Sequence, residues 1–273
     1  MNFIMKKGEE IRMCVIFIAY RQHPNYELIV ASNRDELHSR PTESAAFWED
    51  QPQLLAGRDA VEWGTWLGVT KNGRFAGLTN YRQAERDDPT KNSRGQLVKD
   101  FLVSSEPASD YVSKIQAEKD NYNGFNLLVY DQQAMYYYSA RQNQVTQLEP
   151  GVYGLSNAEL NTAWPKVEKG VQRLKALLET YPDTLPEKDL FELLADREIA
   201  ADDRLPDTGI GLEQERLVSP IFIHSPEYGT CSSTVLTMTR NGQVSFTERT
   251  FKQGQPFNDD AHFSFQLEEK GGM

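Results

Sequence analysis

Cysteine is nearly missing from this chain: two occur in 273 residues, Cys14 and Cys231. Two thiols are too few for a disulfide framework or a zinc site. The four histidines, His23, His38, His224 and His262, are scattered without metal-ligand spacing, so no metal is expected. Positive charge is also scarce: 29 Lys and Arg stand against 40 Asp and Glu, a net charge of −11. With no basic stripe for a phosphate backbone, nucleic acid is excluded as a partner, and an anionic membrane surface is disfavoured in the same way. No apolar run approaches the roughly 18 residues that span a bilayer, so membrane insertion is not expected. What remains, 39% hydrophobic and 25% charged residues, suits a chain that buries a sizeable core. The cytoplasm is the expected compartment, where a Cys14–Cys231 disulfide would be disfavoured.

Residues 1–12 have an apolar run of only three residues, Phe3-Ile4-Met5, before their lysines and lack the apolar stretch of a signal peptide. Lys6-Lys7-Gly8-Glu9-Glu10 can be encoded by a purine-rich run of the kind that precedes a bacterial start codon. The expectation is a translated leader or disordered tail over 1–12, with the folded unit over 13–273 starting at Met13.

Runs of β-branched and aromatic residues at 15–20 and 27–32 flank the turn chemistry of His23-Pro24-Asn25, which predicts an antiparallel hairpin. A turn centred on His23-Pro24 sets Cys14 opposite Asn33, with Arg34 and Asp35 just beyond. A second hairpin is predicted over 65–82, with Asn72-Gly73 as a type I′ turn, followed by a surface loop over 83–93. Helical spacing marks 94–104, 108–119, 164–181 and 187–195. Strands are expected over 125–130, 134–140, 145–148, 152–155, 221–224, 233–240 and 243–251, and a loop or lid over 201–216. Strands at both ends with helices between them, mostly joined by hairpin turns, give an α+β chain of antiparallel sheets.

A cysteine at the head of an apolar strand is more often a small buried hydrophobe than a nucleophile. Three features of Cys14 point the other way. Met13 before a small residue suits removal of an initiator methionine, leaving Cys14 with a free α-amine. That amine titrates at about 7.7–8.0, near working pH, and can act as a base. The hairpin also brings a guanidinium and a carboxylate to the thiol. These are the parts of an N-terminal nucleophile, with Arg34 as the cation that favours the thiolate and Asp35 to orient the amine or balance Arg34. Side chains alternate along a strand, and the sequence leaves open which of Asn33, Arg34, Asp35 and Glu36 face Cys14.

The chain resembles the NRDE family, the relatives of transport and Golgi organisation protein 2. The resemblance is carried by Met13-Cys14, Asn33-Arg34-Asp35-Glu36, Ser39-Arg40-Pro41, Gly64-Thr65-Trp66-Leu67-Gly68, Leu78-Thr79-Asn80-Tyr81 and Arg94-Gly95. It continues through Tyr122-Asn123-Gly124-Phe125-Asn126-Leu127, Tyr153-Gly154-Leu155-Ser156-Asn157, Tyr228-Gly229-Thr230 and Thr247-Glu248-Arg249. It implies a four-layer αββα sandwich of two antiparallel sheets, like that of N-terminal-nucleophile hydrolases, and a more distant similarity to penicillin and bile-salt amidases and acid ceramidases. There a cysteine attacks an amide beside an arginine and an aspartate. Those two are spaced apart in the amidases but adjacent here, and adjacent strand residues share a face only at a bulge.

An asparagine at a strand end is ordinarily a turn or cap residue, yet acyl transfer needs donors aimed at the oxyanion. By resemblance to the amidase asparagine motif Asn157 is the first choice, with Asn80 or the backbone N–H of Tyr81 second. The resemblance sets an arginine where Cys231 stands, so a contact to an anionic substrate would be lost there; Cys231 itself reads as a core cysteine. Trp66, with Trp48 and Trp63, could line an apolar pocket, although such tryptophans are more often core. Asn33 is carried as a further substrate-binding candidate, and Arg58 and Arg82 read as surface residues. Two functions follow. One is a cysteine amidohydrolase acting, without a cofactor, on a small non-peptide amide or lipid-like substrate. The other is a binding or trafficking protein on the same scaffold, in which Cys14 and its amine could ligate haem iron.

Overall fold

A computed structural model describes residues 13–82 and 87–268. The expected leader over 1–12 lies outside these residues, as do residues 83–86 of the expected surface loop. Strands β1 (Cys14–Tyr20), β2 (Tyr26–Leu37), β3 (Thr42–Trp48), β4 (Gln51–Asp59), β5 (Leu67–Thr70) and β6 (Phe75–Asn80) come first. Helices α1 (Gly95–Val103) and α2 (Ala108–Ala117) follow, then β7 (Phe125–Tyr130), β8 (Met135–Ser139), β9 (Gln144–Leu148) and β10 (Gly151–Leu155). The chain continues through α3 (Pro165–Thr180), α4 (Glu187–Leu194), α5 (Leu212–Val218), β11 (Tyr228–Thr239), β12 (Gln243–Lys252), β13 (Gln255–Pro256) and β14 (Ala261–Gln266).

The strands form two seven-stranded antiparallel sheets. One has the order β10-β1-β2-β11-β12, with β13 and β14 both on β12; the other runs β3-β4-β5-β6-β7-β8-β9. Period-2 alternation gives each sheet two apolar faces. Ile16, Ile18, Val30 and Leu236 of the first sheet meet Leu55, Val69, Phe75 and Leu128 of the second between the sheets. On the outside, Phe17, Ala31 and Val235 pack on α3 and α4, while Ala76, Leu127 and Val129 pack on α1 and α2. The result is the αββα sandwich that the resemblance implied. Helix α3 sits directly on β1 because residue 170 is glycine: a Cβ there would lie 2.1 Å from the Phe17 ring.

Several details differ from the sequence expectations. Tyr20 pairs with Leu28, and Arg21 N–H then bonds to Glu27 O across a longer loop. The register moves by one, so Cys14 lies opposite Arg34 rather than Asn33. At Asn72-Gly73 only the glycine has positive φ, 78°, so this is not a two-residue I′ turn, in which both central residues need it. The strand expected at 221–224 reduces to a single bridge between His224 and Gly229. Helix α5 takes up the end of the segment expected to be loop and runs two residues past it, and β3, β4 and β14 were not anticipated. β3 and β4 lack clean alternation and pair through register shifts, whereas β14 alternates apolar and polar residues at a sheet edge, with every second residue exposed.

Candidate active site

Cys14 opens β1 at one end of the first sheet, and the one-residue register shift decides what surrounds it. Residues opposed in an antiparallel pair share a face. Cys14, Arg34 and Ser232 are in line across β1, β2 and β11 and belong to the side that faces the second sheet. Met13, Asn33 and Asp35 belong to the other side, towards α3 and α4. Arg34 and Asp35 therefore do not share a face. The bulge lies instead on β11, between Thr230 and Ser232, with Cys231 as the extra residue.

Arg34 is buried and fixed on several sides. Its Nη1 donates to Thr42 Oγ1 at 3.0 Å, Nη2 lies 3.6 Å from Glu36 Oε2, and the guanidinium stacks 4.4 Å from the centroid of the Trp66 ring. Trp66 can lie there because residue 57 is glycine; a Cβ at that position would come within 2.5 Å of the indole. Glu36 is held in turn by Arg40, at 3.7 Å, and Arg40 by Asp59, at 2.7 Å. The Glu248 carboxylate, buried on this same face, accepts the Ala45 N–H at 2.7 Å, and burial pushes its pKa up to about 7.

The backbone of Cys14 is clamped by the asparagine predicted first. Asn157 Oδ1 accepts the Cys14 N–H at 3.3 Å, and Asn157 Nδ2 donates to Asn80 O at 2.8 Å. The Ser156 hydroxyl lies 2.9 Å from Cys14 O and 3.0 Å from Asn157 Oδ1. Asn80 thus reaches the site through its carbonyl. The Tyr81 N–H is engaged by Gly124 O at 2.9 Å and its hydroxyl by Glu159 at 2.7 Å. Cys14 keeps some exposed surface, yet the atoms packed round its sulfur desolvate it. Burial first, then the charge of Asp35, push the thiol pKa up to about 12.

On the opposite face Asn33 is saturated. Its Nδ2 donates to Leu194 O and Ile221 O, at 2.9 and 2.8 Å, and its Oδ1 accepts from Ser233 Oγ at 2.6 Å. This ties β2 to the helical layer and leaves nothing for a substrate. Asp35 accepts from Thr230 Oγ1 at 2.6 Å, while its Oδ2 is buried with no partner among the described residues. Burial raises the Asp35 pKa and lowers that of Lys166, whose charge opposes the shift of Asp35.

Several residues here escaped the sequence reading. Lys166 is buried, and its Nζ donates to Val218 O at 3.1 Å. A usable signal was present, since positions 166, 170 and 174 share a helix face and 174 is a buried leucine. Tyr228 is buried too, and its hydroxyl accepts the Met13 N–H at 2.5 Å. Arg82, expected at the surface, is half-buried, with its side chain only 7% exposed: it pairs with Glu215 at 2.6 Å and stacks on Trp164 at 4.4 Å. Arg58 is half-buried, stacked 4.1 Å from Trp48. Trp48 donates to Ala56 O in the outer core, and Trp63 is 51% exposed, so Trp66 alone of the three tryptophans borders the site. Cys231 sits 3.6 Å from Glu36 O and 3.7 Å from His38 Nδ1, and burial raises its pKa to about 11.

Among the described residues no three His, Cys, Asp or Glu side chains converge as a metal set, and no helix is long and apolar enough to cross a membrane.

Comparison with known proteins adds the following. The chain is 36% identical to a bovine Transport and Golgi organization protein 2 homolog over 89% of its own length and 95% of the relative's. It is 36% identical to the human homolog over 87% of this chain and 93% of that one. Against the Drosophila melanogaster Transport and Golgi organization protein 2 the identity is 26%, over 90% and 95%. A solved Caenorhabditis elegans N-acylethanolamine-hydrolyzing acid amidase ortholog aligns at TM-score 0.48 and 14% identity, covering 82% of this chain and 92% of that one. The family profile described as Transport and Golgi organisation 2 matches residues 13–253. With that span and those identities, the chain belongs to the Transport and Golgi organisation 2 family.

Proposed function

We propose that this protein, once its chain begins at Cys14, is a cysteine N-terminal-nucleophile hydrolase of a small non-peptide amide. One observation carries the reading. The nitrogen that would become the catalytic base is held by Asn157 at the head of β1, directly across from Arg34. As a peptide nitrogen it has no basicity; as a free amine it titrates near 7.7–8.0.

The amine takes the thiol proton, and the thiolate adds to the amide carbon, forming the C–S bond as the carbonyl electron pair moves to oxygen. The Asn157 amide, aligned by Asn80 O, is assigned to the oxyanion. Collapse breaks the C–N bond, and the leaving amine takes the proton back from the α-ammonium. Water, deprotonated by the same α-amine, then adds to the thioester and releases the acid and the thiol. The high thiol pKa belongs to the state with Met13 in place. Loss of Met13 admits water, adds the cationic form of the amine next to the sulfur, and lowers it.

The test begins with intact mass, to establish which residue starts the chain made from its own upstream DNA. A chain starting at Cys14 is then assayed on a panel of N-acyl anilides. Turnover is expected there and is expected to vanish in Cys14→Ala while the circular dichroism spectrum stays unchanged. An equal rate in Cys14→Ala would falsify the mechanism.

A further inference from the structure

Asn126 is completely buried between the two sheets, on the same face of β7 as the core leucine Leu128. A carboxamide in such a place is costly unless its hydrogen bonds are made. Here both its donors and its oxygen are engaged, and the partners fix its orientation. Ala158 O can only accept, so it faces Asn126 Nδ2, at 2.9 Å. Thr79 Oγ1 takes the second Nδ2 proton at 3.2 Å and donates its own to Ser156 O. Asn126 Oδ1 is then left to accept the Tyr137 hydroxyl at 2.8 Å, and that hydroxyl accepts the Leu160 N–H at 3.1 Å. A hydroxyl has a single proton to give, so every bond in this network has one direction.

The backbone groups held this way, Ser156 O, Ala158 O and Leu160 N–H, belong to alternate residues of the segment that follows β10. Asn157 lies between the first two. Its carbonyl accepts the Arg82 N–H at 2.7 Å, and its side chain is the one that holds the Cys14 nitrogen and Asn80 O. Thr79, Asn126 and Tyr137 come from β6, β7 and β8 of the second sheet, whereas Cys14 heads β1 of the first. The segment leaves a strand of the first sheet and is seized by three side chains of the second. Asn157 is where the two sheets meet at the nucleophile.

We propose that Thr79, Asn126 and Tyr137 are positioning residues, a clamp that fixes the direction of the Asn157 side-chain amide. A donor for an oxyanion works by preorganisation: already aimed at the developing charge, it needs no rearrangement as that charge forms. A buried polar network with its bonds made supplies the necessary rigidity. That the aim of Asn157 serves turnover rests on the hydrolase reading; that the clamp sets it does not.

The experiment follows solvent exchange of asparagine side-chain amide protons by NMR in the full chain, comparing Asn157 with Asn33. Asn33 is the control, because its amide is tied to Leu194 O and Ile221 O on the helical side. In Tyr137→Phe, exchange at Asn157 is expected to quicken at least tenfold while Asn33 stays within twofold of the parent. Thr79→Val, which keeps the shape and loses the hydroxyl, is expected to do the same, and Thr79→Ser to restore the parent rate. If Tyr137→Phe does not fold, the Thr79 pair is read alone. Equal quickening at both asparagines, or none at Asn157, overturns the clamp. In the chain starting at Cys14, Tyr137→Phe is expected to lower kcat on an N-acyl anilide at least tenfold with KM within twofold, because the oxyanion forms only in the transition state. Quickened exchange at Asn157 with kcat unchanged overturns the positioning role. The two proposals fail separately. Quickened exchange at Asn157 alone, with no turnover by the unaltered Cys14 chain, removes the hydrolase and keeps the clamp; turnover with parent exchange rates in the variants removes the clamp and keeps the hydrolase.

Discussion

The two faces of β2 solve opposite problems within four consecutive residues. Towards the helices, Asn33 makes three hydrogen bonds, all to the protein's own backbone and Ser233. Towards the second sheet, among the described residues, Arg34 has one hydrogen bond, a long ion pair and an aromatic face, and Cys14 lies directly opposite. A buried polar side chain with every bond made inside the fold is a structural tie. A buried cation with donors in hand beside a thiol is available for chemistry. A four-residue motif can therefore be shared between folding and function by alternation alone.

The largest effect should come from breaking the tie. Asn33→Ala strands the carbonyls of Leu194 and Ile221 and the Ser233 hydroxyl in a buried place. At about 1–3 kcal/mol for each unsatisfied group, and with partial relaxation, a loss of about 4 kcal/mol is expected in urea unfolding. The fraction that still folds should keep the proposed hydrolase activity per molecule. An Asn33→Ala protein of unchanged stability but reduced kcat/KM would reverse the assignment of the two faces.

Much of this was legible in the sequence, and the misses have physical causes. The αββα layering and the helices α1 to α4 followed from resemblance and periodicity, because each helix has one apolar stripe. The register of β1 against β2 was missed by one residue. His23-Pro24 sits inside a loop longer than a tight turn, and Arg21 takes positive φ, 53°, which a non-glycine residue does not advertise. That error hid which motif residue faces Cys14. Arg82 and Lys166 were misread or passed over because charge alone suggests solvent. Their burial depends on Glu215 and Val218, which are remote in sequence and lie on a helix that the acidic composition of its segment concealed.

The next effect concerns Glu248, on the Arg34 face. Its pKa rises from 4.5 to about 7 on folding, because burial disfavours the carboxylate. A group raised in the folded state contributes stability that is fully present below its unfolded pKa and is lost as pH rises through the folded one. Between pH 4.5 and 7 that loss is at most about 3 kcal/mol, at 1.36 kcal/mol per pH unit. Glu248→Gln stays neutral and keeps an oxygen for the Ala45 N–H. It is expected to match the parent near pH 4.5 and to exceed it in melting temperature above pH 7. A difference between the two melting curves that does not vary with pH would assign the carboxylate no part in the pH response.

The smallest effect is the one that isolates charge on the Arg34 face. Arg34 lowers the Cys14 pKa, against the burial and the Asp35 charge that raise it. Losing one cation near a partly screened thiol is worth about one pKa unit, or about 1.4 kcal/mol. Arg34→Gln should therefore slow iodoacetamide alkylation of Cys14 about tenfold at pH 7, and lower kcat/KM by a similar factor once the α-amine is free. Arg34→Lys separates charge from shape: it restores a cation but not the guanidinium plane over Trp66. Alkylation that recovers with lysine shows the cation acting through the thiolate. Alkylation as slow with lysine as with glutamine shows instead that the stacked plane positions the strand, and Arg34 would then belong with Asn33 as a second structural tie.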